Sequence, residues 1–183
     1  MFKNITVIGS GLMGSAIAAH LANAGCKINL LDIIDKKNEN INHLADLALE
    51  KLTKIKPSPL TLNSNVRLIK TGNIDENLNL INKSEWVIEV IIENLDIKKD
   101  LYRKIDKIMK DDLIISSNTS TIPIKLLSEG LSKKFKKNFL ITHFFNPPRY
   151  LKLLEIVKSE ETKLKILKSI NNYCDIKLGK TVI

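Results

Sequence analysis

The run Ile5-Thr6-Val7-Ile8-Gly9-Ser10-Gly11-Leu12-Met13-Gly14-Ser15-Ala16-Ile17-Ala18-Ala19, continued by Ile28-Asn29-Leu30-Leu31-Asp32, decides the fold. The β-favouring residues predict a strand, the glycines a turn, the small residues a helix, and the second apolar run another strand that closes on an acid. Each glycine has its own steric task. Gly9 permits the tight turn, Gly11 lets the backbone approach a pyrophosphate, and Gly14 lets the helix sit close to the strand. Phosphates would lie at the helix N-terminus, where the unpaired N–H groups opening at Leu12 and Met13 and the positive dipole end attract anions. Asp32 comes eighteen residues after Gly14. A carboxylate there accepts from adenosine ribose hydroxyls and repels a 2′-phosphate, and Ile33 and Ile34 beside it supply no arginine, so NAD is expected over NADP. An ordinary βαβ turn without a ligand is the plainer alternative.

A chain of 183 residues is long enough for one well-buried domain and short for two, so residues 1–183 are expected to form a single domain. With 44% hydrophobic residues and no apolar run of membrane-spanning length, neither a membrane protein nor a disordered one is expected. The N-terminus passes directly into the first strand without a signal-peptide pattern, which sets a cytoplasmic expectation. Cys26 and Cys174 are far apart and lack neighbours at metal-ligand spacing, so they read as reduced thiols and no metal site is expected. The net charge of +9 suggests a polyanion partner. Its excess, however, is lysine scattered with Asn and Ile, and the densest cluster, Lys133-Lys134-Phe135-Lys136-Lys137, reads as a solvated loop rather than a nucleic-acid site.

Beyond Asp32 the spacing predicts a helix over 36–54, a strand over 66–69, and a buried strand over 86–92, whose continuous apolar character suits a parallel sheet. A helix over 94–109, a strand over 113–115, a short helix, a strand over 139–142, a turn at Asn146-Pro147-Pro148, a strand over 153–157 and a helix over 160–175 follow. Residues 180–183 look like the first half of one more strand. Strands alternating with helices give a Rossmann-type doubly wound α/β fold with a mostly parallel sheet.

Ligands of such sheets bind beyond the carboxyl ends of the strands, so the polar residues there carry the chemistry. His143 after the sixth strand suits proton transfer near neutral pH. Glu155, twelve residues later across a proline-containing turn, could return to hold one ring nitrogen. A structural loop histidine is the alternative. Ser120 and Asn118 after the fifth strand read either as site residues or as turn and helix caps. Glu93 and Lys98 are likewise candidates, or an ordinary acid and lysine near a helix start. Trp86, Phe144 and Phe145 read as core or pocket wall.

Taken together, Gly9-Ser10-Gly11-Leu12-Met13-Gly14, Glu89-Val90-Ile91-Ile92-Glu93-Asn94-Leu95, Ser117-Asn118-Thr119-Ser120, His143-Phe144-Phe145-Asn146-Pro147 and Glu155 resemble the NAD-binding domain of the L-3-hydroxyacyl-CoA dehydrogenases. The resemblance implies that His143 is the general base on the substrate's 3-hydroxyl, that Glu155 orients it, and that Ser120 touches both the substrate oxygen and the nicotinamide side. It implies cofactor contacts at the glycine turn and at Asp32, Glu93, Lys98, Asn118 and Asn146. It further implies reversible oxidation of an (S)-3-hydroxyacyl-CoA with NAD, an acyl-CoA substrate, and a C-terminal helical domain absent from this chain; the alternatives are a dehydrogenase of a free hydroxy acid or sugar acid, or a non-catalytic NAD-binding or partner-binding module. The partners it implies are a homodimer mate, or a helical-domain partner that supplies what that domain supplies. The segment between Asp32 and Val66 looks compact for the helical hairpin that grips coenzyme A in relatives.

Overall fold

The computed structural model describes residues 2–183. In chain order the strands are β1 (Asn4–Ile8), β2 (Lys27–Asp32), β3 (Ile69–Asn73), β4 (Trp86–Glu89), β5 (Ile114–Ser117), β6 (Phe139–Phe144), β7 (Leu153–Lys158) and β8 (Thr181–Val182). They form one sheet in the order β3-β2-β1-β4-β5-β6-β7-β8. All neighbours run parallel except β6 and β7, which pair antiparallel. The chain leaves β1 towards β2 and β3, then crosses back to β4 on the other side. A crevice therefore opens at the carboxyl ends of β1 and β4, where the doubly wound fold places its ligands.

Strand alternation divides the apolar residues between two layers. Trp86 and Ile88 join one layer, and Val87, between them, joins the other. Helices α1 (Leu12–Asn23) and α7 (Leu164–Ile176) cover the first layer with Ile17, Leu21, Ile166 and Ile170. The second is covered by α4 (Leu95–Ile108), α5 (Ile124–Ser128) and α6 (Lys133–Lys137), through Leu101, Tyr102, Ile105, Leu127 and Phe135. Helix α4 starts where the Asn94 side chain accepts from the N–H of Ile97 at 3.1 Å, a cap contributing about 1 kcal/mol. Its buried Leu101 and Ile105 contribute about 1.5–3 kcal/mol each, so packing outweighs capping in holding it. Short helices α2 (His43–Leu52) and α3 (Ile74–Asn77) complete the set.

Several elements differ from the sequence reading, for local reasons. The helix expected from Lys36 begins only at His43, because Asp35, Asn38 and Asn40 each accept from the N–H two residues on, at 3.0, 2.9 and 3.0 Å. Such side-chain turns compete with helix. Of the strand expected over 66–69, residues 66–68 belong to a 3-10 segment, Asn63–Leu68, and only Ile69 is strand, opening β3. The apolar run over 86–92 stops being strand after Glu89, whose Oε1 captures the N–H of Ile91 at 2.8 Å. The lysine cluster over 133–137 is helix α6 rather than loop, capped by Ser132 on Phe135 N–H at 3.1 Å and anchored by buried Phe135. The final helix starts at Leu164, since Thr162 is drawn into the core by the Phe139 carbonyl at 2.8 Å. Among the described residues no helix is long and apolar enough to cross a membrane.

Candidate functional site

The turn between β1 and α1 assigns its glycines distinct duties. Gly9 has φ +104, and a Cβ there would meet the Val90 carbonyl oxygen at 2.5 Å. A Cβ on Gly14 would lie 1.8 Å from the Gly9 carbonyl oxygen. Both glycines are therefore demanded by the chain itself. Gly11 is not: it is exposed, and a Cβ there would meet nothing within 4 Å. Among the described residues no side chain caps α1, and its first backbone bond runs from Ser15 N–H to the Gly11 carbonyl at 3.0 Å. The N–H groups of Leu12, Met13 and Gly14 precede that bond and stand free of helical acceptors beside the open face of Gly11.

Asp32 ends β2 against this turn. Its Oδ2 accepts from the Ser10 N–H at 2.6 Å and the Ser10 hydroxyl at 2.5 Å, and its Oδ1 from the Ile33 N–H at 2.7 Å. These bonds fix the carboxylate while leaving acceptor capacity on its outer side. Gly11 and Asp32 form a ridge between two cavities. One, of about 620 Å3, is walled by Ile33, Ile74, Val90, Ile92 and Ile97, with Asp75, Asp100 and Lys104 also lining it. The other, of about 370 Å3, lies towards Leu44, Leu47 and Ala48 of α2. An apolar slot beside a fixed carboxylate suits a flat heteroaromatic ring attached to a ribose. The sequence does not announce these apolar walls, because the residue after β2, the segment after β4, α3 (Ile74–Asn77) and α4 each supply only part of them.

Beyond β4 the structure holds a buried polar network around Glu89, which is fully buried. Its Oε2 accepts from the Tyr102 hydroxyl at 2.5 Å and the Ser117 hydroxyl at 2.6 Å, while its Oε1 accepts from Lys98 Nζ at 2.6 Å. Burial, then the neighbouring Glu89 charge, push the Tyr102 hydroxyl pKa well above its usual value. Lys98 is 1% exposed and also lies 3.3 Å from Glu93. It points inward rather than outward from its helix. Glu93 in turn accepts from the hydroxyls of Thr119 and Thr121, the latter at 3.0 Å. Partial burial pushes the Glu93 pKa up, but the Thr119 hydroxyl and the Lys98 charge outweigh it and hold the carboxyl below its ordinary value. The ends of β4 and β5 are thereby locked together.

At the far side, His143 lies inside β6 rather than after it, directly opposite Glu155 of β7. Residues so opposed project from the same face, and His143 Nδ1 is 2.7 Å from Glu155 Oε2. The His143 side chain is 20% exposed, and its ring sits 4.5 Å from that of Phe145. Asn118 spans the two halves: its N–H donates to the Glu89 carbonyl at 2.8 Å, and its Oδ1 accepts from the Phe144 N–H at 2.9 Å. The capping reading of Asn118 is thus replaced by a bridge between β4, β5 and β6. Ser120 and Asn146 are exposed, and among the described residues their side chains make no hydrogen bond. No bond links either of them to the His143–Glu155 pair.

The family described as "3-hydroxyacyl-CoA dehydrogenase, NAD binding domain" matches residues 4–183. Over 181 residues the chain is 46% identical to a putative fatty acid oxidation complex trifunctional enzyme of Rickettsia felis, covering 99% of this chain and 25% of that one. It is 44% identical to a probable 3-hydroxyacyl-CoA dehydrogenase of Deinococcus radiodurans, covering 99% of this chain and 52% of that one. The chain thus spans from a quarter to about half the length of these relatives. A solved 3-hydroxybutyryl-CoA dehydrogenase of Escherichia coli K12 superposes with a TM-score of 0.83 over 100% of this chain and 38% of its own; at 22% identity that likeness concerns the fold. An (S)-3-hydroxybutyryl-CoA dehydrogenase from Ralstonia eutropha gives 0.79 at 26% identity, over 100% of this chain and 63% of its own.

Proposed function

Because the chain belongs to the family of 3-hydroxyacyl-CoA dehydrogenase NAD-binding domains, we propose that it carries the cofactor and the proton-handling residues for oxidation of an (S)-3-hydroxyacyl-CoA to the 3-ketoacyl-CoA. The observation that carries this reading is the His143–Glu155 pair, 2.7 Å apart. With Nδ1–H donating to Glu155, Nε2 is the acceptor, which lets His143 take the proton of a substrate hydroxyl. Glu155 fixes the tautomer and steadies the positive charge that His143 then holds. In the reverse direction His143 returns the proton to the forming hydroxyl.

The residues present fit NAD. Gly11 is the one glycine of the turn whose lack of a side chain the protein does not itself require, and it stands beside free N–H groups of α1. Backbone N–H groups at Leu12 and Met13 would hold the pyrophosphate, Asp32 the adenosine ribose, and Glu93, Asn118, Ser120 and Asn146 the nicotinamide half. When bound, NAD supplies the hydride acceptor. Lys98 acts through Glu93 and Glu89, since its ammonium is committed to their carboxylates. Ser120, exposed and unbonded, is free to meet the substrate oxygen.

We take residues 1–183 as one dinucleotide-binding domain and an acyl-CoA as its substrate, with the helical portion of the site supplied by further chain or by a helical-domain partner. The cytoplasmic setting stays part of this reading, in keeping with two free buried thiols, Cys26 and Cys174. The test supplies a relative's helical portion and follows NADH oxidation on addition of acetoacetyl-CoA. Turnover supports the reading. NADH binding without turnover would make the chain a cofactor-binding module only.

A further inference from the structure

One buried cation belongs neither to the glycine turn nor to the network around Glu89. Lys180, 3% exposed, precedes β8, and its Nζ donates to the carbonyls of Pro148 and Leu151, the latter at 2.7 Å. The same Nζ lies 5.5 Å from the centroid of the Phe144 ring. All three partners belong to the end of β6 or to the segment that leaves it after His143 and returns as β7 before Glu155. Burying an ammonium is costly unless acceptors replace its water. Two carbonyls and an aromatic face do so here, and among the described residues no carboxylate pairs with it.

The segment is held from its other side as well. Arg149 donates to the carbonyls of Ser58 and Leu60 at 2.7 and 2.8 Å, and the Tyr150 hydroxyl donates to Ser58 at 2.9 Å. Within the segment, the N–H groups of Tyr150 and Leu151 both donate to the Pro147 carbonyl at 3.0 Å. The path of a connection between antiparallel strands sets their register, and a slip by one residue would carry a side chain to the opposite face.

We propose that Lys180 is a positioning residue for the reaction. By bridging Pro148 and Leu151 it fixes the β6–β7 connection, and through it the alignment of His143 with Glu155 and the place of Asn146. The inference rests on the reading of His143 and Glu155 as the proton-handling pair.

The experiment compares the 15N-labelled wild-type chain with Lys180→Met, which keeps the apolar stem, and Lys180→Gln, which keeps a donor. Amide exchange at Tyr150 and Leu151 and the ring-nitrogen signals of His143 are followed by NMR. In Lys180→Met the two amides are expected to exchange about tenfold faster or more, and the His143 ring signals to move. Protection in β1 and β4 should stay at wild-type level, and Lys180→Gln should recover part of both changes. Wild-type exchange and ring signals in Lys180→Met would overturn the proposal, as would changes spread evenly over the whole sheet. If Lys180→Met does not fold, Lys180→Gln decides: wild-type values overturn the proposal, and faster exchange confined to the β6–β7 connection supports it. Full turnover by His143→Ala would end the proton-handling reading, while the exchange data would still report Lys180's hold on the loop.

Discussion

His143 and Glu155 are matched twice, once as directly opposed residues of β6 and β7 and again by a 2.7 Å contact between Nδ1 and Oε2. Both strands are paired along their length, so the match is a property of the sheet and not of a mobile loop. The carboxylate's task is to hold a tautomer. Glu155→Gln is therefore expected to lower kcat by roughly ten- to a hundredfold, less than the roughly 10²- to 10⁴-fold attributed to a general base itself, with little change in KM. Steady-state kinetics on the completed enzyme check this, and an unchanged kcat would remove Glu155 from the reaction.

Gly11 and Gly14 should respond in opposite ways to one added methyl group. Gly14→Ala places a Cβ 1.8 Å from a backbone oxygen and is expected to destabilise the fold strongly. Among the described residues the Cβ of Gly11→Ala meets nothing within 4 Å, so its melting temperature should match wild type while NADH affinity falls about tenfold or more. Thermal melts and fluorescence titration separate the two effects. Unimpaired NADH binding by Gly11→Ala would place the pyrophosphate elsewhere.

The contrast between these glycines shows what a sequence makes legible. The turn reads directly because its requirements are steric and local, and the order of strands and helices reads from hydrophobic pattern. The pairing of His143 with Glu155 was visible as a spacing, although not as a register, since the extent of β6 depends on its neighbours. Glu89 was hidden: an acid inside an apolar run acquires meaning only from Lys98, Tyr102 and Ser117, which come from other elements. The inward direction of Lys98 was hidden for the same reason. The late start of α2 followed from three side-chain turns that the apolar spacing could not register.

Breaking the buried pair should be costly. Lys98→Met leaves the fully buried Glu89 without its cation, and the loss of one partner of such a pair is expected to cost about 3–5 kcal/mol. Urea unfolding measures this directly. A loss below about 1 kcal/mol, the value of an exposed pair, would mean that water reaches the site.

Acid should weaken the fold through His20. Burial first, then the charges of Lys180 and Arg149, lower its pKa from 6.5 to about 4, and among the described residues its buried Nε2 has no hydrogen-bond partner. A histidine depressed in the folded state contributes fully above its unfolded pKa, and that contribution is lost as pH falls through the window from 6.5 to about 4. The difference amounts to roughly 3 kcal/mol at most. Unfolding free energies at pH 7 and pH 4.5 should show the loss in wild type, and His20→Leu should flatten that part of the slope. An equal slope in the variant would assign acid sensitivity to other groups.

If His143 moves the substrate proton, His143→Ala separates cofactor binding from turnover. With a relative's helical portion supplied, NADH affinity and acetoacetyl-CoA-dependent NADH oxidation are measured on the same preparation. NADH is expected to bind with wild-type affinity while turnover falls by about 10²- to 10⁴-fold. Turnover within a few-fold of wild type would contradict that role for His143.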